Sequence, residues 1–273
     1  MHYDLARQGV GPQPANLSRT VYGTVMHHAV QTLESLHAQG DSNALKTAQA
    51  TFAHYWMPEN LPQLAIKGHE DLARGVEEWL PTDTYGGMRQ NGLKTLEDYY
   101  SLLRSDDGLL LALEIEFEVP IQLNGVEHII TGTLDRLAIR KYMRKAYLSI
   151  EDFKTGKKPT YLRYGLQWTI YSWATTQPEF WAEFPETEKR IETYAPWARR
   201  GRWIDLHGKI AIHDCGWRGE QDYARMKVAL AEYVRAVEAD VYPLSISGAN
   251  CMFCPFREVC GGVALPEENH GKP

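Results

Sequence analysis

The feature that most constrains this chain is its middle third. Residues 109–140, LLLALEIEFEVPIQLNGVEHIITGTLDRLAIR, alternate apolar and polar side chains, with Glu114, Glu116 and Glu118 interleaved with Ile115, Phe117 and Val119. A period of two places such residues on opposite faces of a strand. The LNG tripeptide, Leu123 to Gly125, is a hairpin-turn signal. After a basic turn over 140–145, AYLSIEDFK reads as a further strand. Residues 109–154 therefore predict three or four strands of one sheet. Helical spacing surrounds this block. Val21, Val25, Ala29, Leu33 and Leu36 recur every three or four residues, Ser18 or Thr20 is placed to cap that helix, and Gly40 stops it. Further helices are expected over 42–56, 67–80, 93–104, 160–177 and 219–241, with two more strands within 189–206. Helices, then a meander, then helix, strand and helix predict an α/β core with a helical insertion near its N-terminus.

A run of 44% apolar residues over 273 positions suits one substantial domain with at most a small appendage. The net charge of −6 argues against a general nucleic-acid binder, but the distribution does not. Residues 136–163 hold nine Lys and Arg against Glu151 and Asp152, which leaves the remainder at −13. A positive field set beside acids suits a polyanionic ligand; a solvated basic hairpin is the plainer alternative. The N-terminal MHYDLARQGVGPQPANLS has no apolar run and no segment reaches membrane length, so a cytoplasmic protein with no membrane partner is expected.

The stretch IEDFKTGKKP, residues 150–159, crowds carboxylates and lysines where an apolar strand ends. Asp135, in GTLDRL, sits near the end of the preceding predicted strand. Adjacent strands bring Asp135 and Asp152 close together, a costly arrangement unless a cation lies between them. Few hard oxygen ligands suit Mg²⁺ or Mn²⁺. Alternation puts Lys154 on the face of Asp152, where an ammonium can orient water and stabilise charge on phosphorus. Phe153 points into the core and leaves its carbonyl for the metal, while Glu151 points away from the site. A D-x-K triplet alone is most often a plain ion pair.

Four motifs occur together: GTVMH (Gly23 to His27), GTLDR (Gly132 to Arg136), DFKTG (Asp152 to Gly156) and QWTIY (Gln167 to Tyr171). Their order and spacing resemble the RecB-like nucleases of the PD-(D/E)XK superfamily. The resemblance implies a restriction-endonuclease-like core, a mixed sheet flanked by helices, over residues 19–245 with a helical insertion at 41–108. It implies His27, Asp135 and Asp152 as metal ligands, the last with the Phe153 carbonyl, and Lys154 as the catalytic lysine. Gln167 and Tyr171 would support the site or touch substrate phosphate, and Glu114 is a further candidate ligand. Arg136, Lys157 and Lys158 are expected to attract substrate, with Tyr161, Tyr164 and Trp168 available for stacking. His28 points about 100° away around the helix and is left out.

The four cysteines all follow residue 214, and CMFCPFREVC spaces three of them as C-x₂-C-x₅-C. That spacing fits a wrapped metal centre, zinc or iron–sulfur. The tail, residues 246–263, resembles that of the iron–sulfur subgroup of the same nucleases, which includes CRISPR-adaptation nucleases, AddB-type subunits and phage exonucleases. The resemblance implies a structural [4Fe–4S] cluster on Cys251, Cys254 and Cys260, with Zn²⁺ as the alternative. Relatives carry a fourth cysteine upstream of the histidine helix. Here none exists before residue 215, so the fourth ligand is Cys215 or a non-cysteine group, and Cys215 is equally placed to be a buried thiol. Residues 1–18 read as an irregular arm and 264–273 as a disordered tail. The function implied is a Mg²⁺- or Mn²⁺-dependent deoxyribonuclease, an exonuclease on single-stranded ends. It would act alone or beside a helicase or another replication or recombination protein, for no G-x-x-x-x-G-K-[ST] is present. The alternatives are an idle DNA-binding or assembly subunit and a zinc-stabilised interaction module.

Overall fold

The structure is a computed structural model that describes residues 17–57, 59–60, 85–156 and 165–239. The expected helix at 67–80, Lys157, Lys158, Tyr161, Tyr164 and the cysteines of the tail lie outside the described residues, as do the side chains of Ser18 and Thr20. Residues 17–230 form one compact unit; 231–239, the last turns of the final helix, belong to a second.

In chain order the elements are α1 (Leu17–Ala38), α2 (Ala44–Tyr55), α3 (Tyr85–Arg104), β1 (Leu109–Leu123), β2 (Val126–Tyr142), β3 (Lys145–Lys154), α4 (Leu166–Ala174), α5 (Pro178–Ala182), α6 (Pro185–Tyr194), β4 (Arg199–Asp205), β5 (Ala211–Arg218) and α7 (Glu220–Glu238). The sheet order is β1-β2-β3-β4-β5. β3 and β4 run parallel and the other neighbours antiparallel. The parallel pair needs a crossover, and α4, α5 and α6 supply it. Thus the mixed sheet flanked by helices is present. One strand stands where sequence placed none: β5 uses AIHDCGWR, while 189–194 of the segment expected to hold two strands belongs to helix α6. A Pro at the first position of α6 and acids in its first turn favour the helix.

Both hairpins are tight. Asn124 and Gly125 have φ of 53° and 80°, and Met143 and Arg144 have φ of 47° and 67°. Two successive left-handed residues make the type I′ connection that matches strand twist. The helices α1 to α3 pack on one side through Val25, Met26, Ala29, Leu33, Phe52, Leu96 and Tyr99, and reach Phe153 and Ile204 on β3 and β4. Burying an aromatic or aliphatic side chain of this kind contributes about 1.5–3 kcal/mol. On α4 and its neighbours the buried residues are Trp168, Trp173, Phe180 and Trp181, and Trp168 packs with Trp203 and Cys215.

The α1–α3 side of the sheet also buries charge. Arg136 is 2% exposed and pairs with Glu34 (2.9 Å), Asp106 (3.1 Å) and Glu151. Arg140 pairs with Asp106 and with Glu151 (2.6 Å), and Arg202 with Glu151 (2.9 Å). Ser149 and Tyr99 donate to Glu151 and Glu34. Three guanidinium groups thus meet three carboxylates. Burial alone would raise the Glu151 carboxyl, but Arg136, Arg140 and Arg202 hold it well below the usual range. Arg136, expected to attract substrate, is therefore a buried structural cation. Its neighbour in the basic stretch, Arg140, is another.

Candidate metal centre

β2 and β3 stop pairing at Arg136 opposite Glu151. The next β2 residue, Asp135, continues the ladder with its side chain: the Phe153 N–H donates to Asp135 Oδ2 at 2.6 Å. A carboxylate thus takes the place of a backbone carbonyl where the two strands part. Asp152 lies one residue beyond Glu151 and faces the other way, as alternation requires. Its Oδ2 is 2.5 Å from the Lys154 ammonium, and Gln167 on α4 donates to its Oδ1 at 3.1 Å. The same Gln167 nitrogen donates to the Tyr171 hydroxyl at 3.0 Å, so one turn of α4 props Asp152.

α1 brings His27, whose Nδ1 is 3.7 Å from Asp135 Oδ2. The helix approaches closely because position 23 lacks a side chain: a Cβ there would lie 3.0 Å from the Thr155 hydroxyl. His28 instead stacks edge-on against Tyr55 on α2, outside the site. β1 contributes Glu114, which is half-buried and has φ of 47°, in the left-handed region. Such a backbone in a residue with a side chain costs on the order of 1–3 kcal/mol, and residues of this kind cluster at functional sites. Donor atoms of His27, Glu114 and Asp135 all lie within 4.8 Å of one another. Imidazole nitrogen with carboxylate oxygen at this spacing fits a divalent cation. The resemblance offered Glu114 only as a further candidate ligand, and alternation alone does not distinguish it from Glu116 and Glu118. Geometry separates them: Glu116 and Glu118 are exposed.

Electrostatics match an uncompensated anionic site. Burial, then repulsion from Asp135 and Asp152, lifts the Glu114 carboxyl to about 7. Burial also raises Asp135 and Asp152, and Asp135 adds its repulsion to Asp152, more than Lys154 offsets. His27 is pushed down by burial and by the Lys154 charge. Its imidazole is thus neutral and able to ligate. Two of these acids, Glu114 and Asp135, thus meet one neutral imidazole, with Asp152 close enough to repel both.

The superfamily model that matches this chain is that of the PD-(D/E)XK nuclease superfamily, over residues 1–261. The chain belongs to the PD-(D/E)XK nuclease superfamily. No curated protein matches it. A solved structure, titled as the crystal structure of SSO0001, is similar at 13% identity and a TM-score of 0.36, covering 72% of this chain and 80% of that one. For a PD-(D/E)XK member, the metal-binding triad of His27, Glu114 and Asp135 stands where the four expected motifs meet.

Two expected participants sit elsewhere. Trp168 is 3% exposed against Trp203 and cannot stack on a ligand. Cys215 is fully buried in the same cluster; its thiol reaches the His213 carbonyl at 3.8 Å and burial pushes it up to about 12. It is packed as a small apolar side chain rather than held as a thiolate. Among the described residues no helix is long and apolar enough to cross a membrane.

Proposed function

We propose that this PD-(D/E)XK protein is a Mg²⁺- or Mn²⁺-dependent deoxyribonuclease, acting exonucleolytically on single-stranded ends. The observation that carries the reading is the meeting of His27, Glu114 and Asp135 within 4.8 Å, beside an Asp152–Lys154 pair. His27, Glu114, Asp135 and Asp152, with the Phe153 carbonyl, would hold the cation. When bound, such a cation polarises the phosphoryl oxygen and lowers the pKa of its water toward neutrality. Lys154, one-third exposed, keeps its ammonium on the solvent side of Asp152. There it orients the attacking water and stabilises the charge that builds on phosphorus. Gln167 fixes the Asp152 rotamer through Oδ1, and the Tyr171 hydroxyl fixes Gln167.

Lys157 and Lys158 follow Lys154 and Gly156 in the chain and would draw the phosphate backbone to the site. The C-x₂-C-x₅-C spacing of Cys251, Cys254 and Cys260 supports a metal-stapled tail, [4Fe–4S] ahead of zinc. A brown anaerobic preparation containing iron supports the cluster; a colourless one containing zinc overturns it. End-labelled single and double strands, incubated with Mg²⁺ or Mn²⁺, test the activity. Wild type should shorten single strands from an end, and Lys154→Ala should not. Equal cutting by both defeats the role given to Lys154, and none by wild type with either metal defeats the nuclease reading and leaves an idle DNA-binding subunit.

A further inference from the structure

The basic stretch divides in the fold. Arg136 and Arg140 are buried in ion pairs, whereas Lys141, Arg144 and Lys145 are exposed around the β2–β3 turn. At that turn the fold gathers aromatic residues from distant parts of the chain. Trp217 of β5 is the hub: its ring lies 5.0 Å from Trp197, 5.2 Å from Tyr147 and 5.9 Å from Tyr142. The Arg200 guanidinium stands 4.7 Å over Trp217 and 5.9 Å from Tyr142. Asp214 holds Arg200 there through two hydrogen bonds, at 2.9 and 2.8 Å. The loop bearing Trp197 is pinned to β3, for its N–H donates to the Ala146 carbonyl at 3.1 Å.

The cluster is built, yet open. Trp197 is 54% exposed, Tyr142 45% and Met143 80%. A plain packing cluster would bury these rings. Exposed aromatic groups this large, grouped and ringed by cations, mark an interaction surface. Their surroundings say of what kind. The chain carries a net charge of −6, yet this end carries Lys141, Arg144 and Lys145. Aromatic faces with a stacked guanidinium and nearby ammonium groups are what unpaired bases and their phosphates need.

We infer that the β2–β3 turn, with Tyr142, Trp197, Trp217 and Arg200, is a stacking platform for single-stranded nucleic acid. It is separate from the metal centre. β3 runs ten residues from Lys145 beside the platform to Lys154 at the centre, about 30 Å. The platform holds the trailing strand while its end reaches the centre. The inference rests on the proposed nuclease reading for its role in substrate capture, but its binding step is measured without catalysis.

The experiment is a tryptophan-fluorescence titration of the full chain in EDTA, with oligothymidylate of about twenty nucleotides, a length that exceeds the site sizes usual for such surfaces. Wild type should show saturable quenching. Trp197→Ala should weaken binding about tenfold, and Trp197→Phe should stay within about twofold of wild type. Tyr142→Ala, read by anisotropy of a labelled strand, should weaken it too. An abasic oligomer of equal charge should bind less tightly than oligothymidylate and ignore Trp197→Ala. Circular dichroism and melting confirm that the variants fold. Wild-type affinity in folded Trp197→Ala and Tyr142→Ala, or no binding by wild type, overturns the platform. If wild type binds as expected but cleaves nothing with Mg²⁺ or Mn²⁺, the platform stands and the nuclease reading falls.

Discussion

Two charge clusters lie one residue apart on the same two strands. Arg136 and Glu151 belong to one; Asp135 and Asp152 belong to the other. In the first, Arg136, Arg140 and Arg202 balance Glu34, Asp106 and Glu151, and the groups are satisfied within the protein. In the second, Glu114, Asp135 and Asp152 face Lys154 and a neutral His27, so negative charge is left over. Matched charge stabilises a fold when it is complete and destabilises it when one partner is removed. Surplus negative charge destabilises until a cation binds. The difference teaches how to tell structural from functional acids here: compensation, not burial, since Asp152 and Glu151 are both buried.

That contrast can be broken by mutation. Lys154→Ala should lower kcat for single-strand cleavage by at least about 10³-fold, while urea denaturation finds its stability within about 1 kcal/mol of wild type. Glu151→Ala should do the reverse. Leaving the buried Arg136 and Arg140, and the partly buried Arg202, short of a carboxylate should cost about 3–5 kcal/mol in the same urea titration. A Glu151→Ala protein as stable as wild type would show that the first cluster is not structural.

Acid sharpens the contrast, because Glu151 responds with opposite sign to the acids of the metal centre. Glu151 has a depressed pKa in the fold, so its contribution is present above its unfolded pKa of about 4.3 and is lost as pH falls below it. Glu114, Asp135 and Asp152 have raised values. Their contribution is complete below about pH 4 and is lost as pH rises, for Glu114 through about 7. Metal-free protein should thus melt highest near about pH 5. Mn²⁺ should restore stability on the alkaline side, by about 2.7 kcal/mol at a hundred times its Kd, and add little at pH 5, where protons occupy the ligands. A Mn²⁺ shift in melting temperature that is the same at pH 5 and pH 8 would separate cation binding from these acids.

The smallest effect concerns the prop. Gln167→Ala removes one hydrogen bond from Asp152 and should lower kcat about tenfold with KM little changed. Tyr171→Phe, acting through Gln167, should cost less. If Gln167→Ala raises KM instead, the side chain contacts substrate directly.

Much of this was legible in one sequence. Period-two alternation located β1 to β3, the LNG signal located its turn, and helical spacing located the buried face of α1. Alternation also separated Glu151 from Asp152 and Lys154. β5 was not legible. AIHDCGWR has little alternation, and no tight-turn signal marks the five residues that join it to its antiparallel partner β4.

Local pattern thus determined what each segment can do alone: its period, its turns, and which face of a strand each residue joins. Those follow from backbone geometry within a few residues. Tertiary structure decided which charges are matched. Arg136 reads as a substrate cation until Glu34, Asp106 and Glu151 close around it. Glu114 is one of several strand acids in the sequence until the fold places it beside His27 and Asp135. Trp197, Trp217, Tyr142 and Arg200 are scattered until β4 and β5 bring them to one end of the sheet. Electrostatic and stacking energies depend on distances through space, and the linear order of residues does not contain those distances.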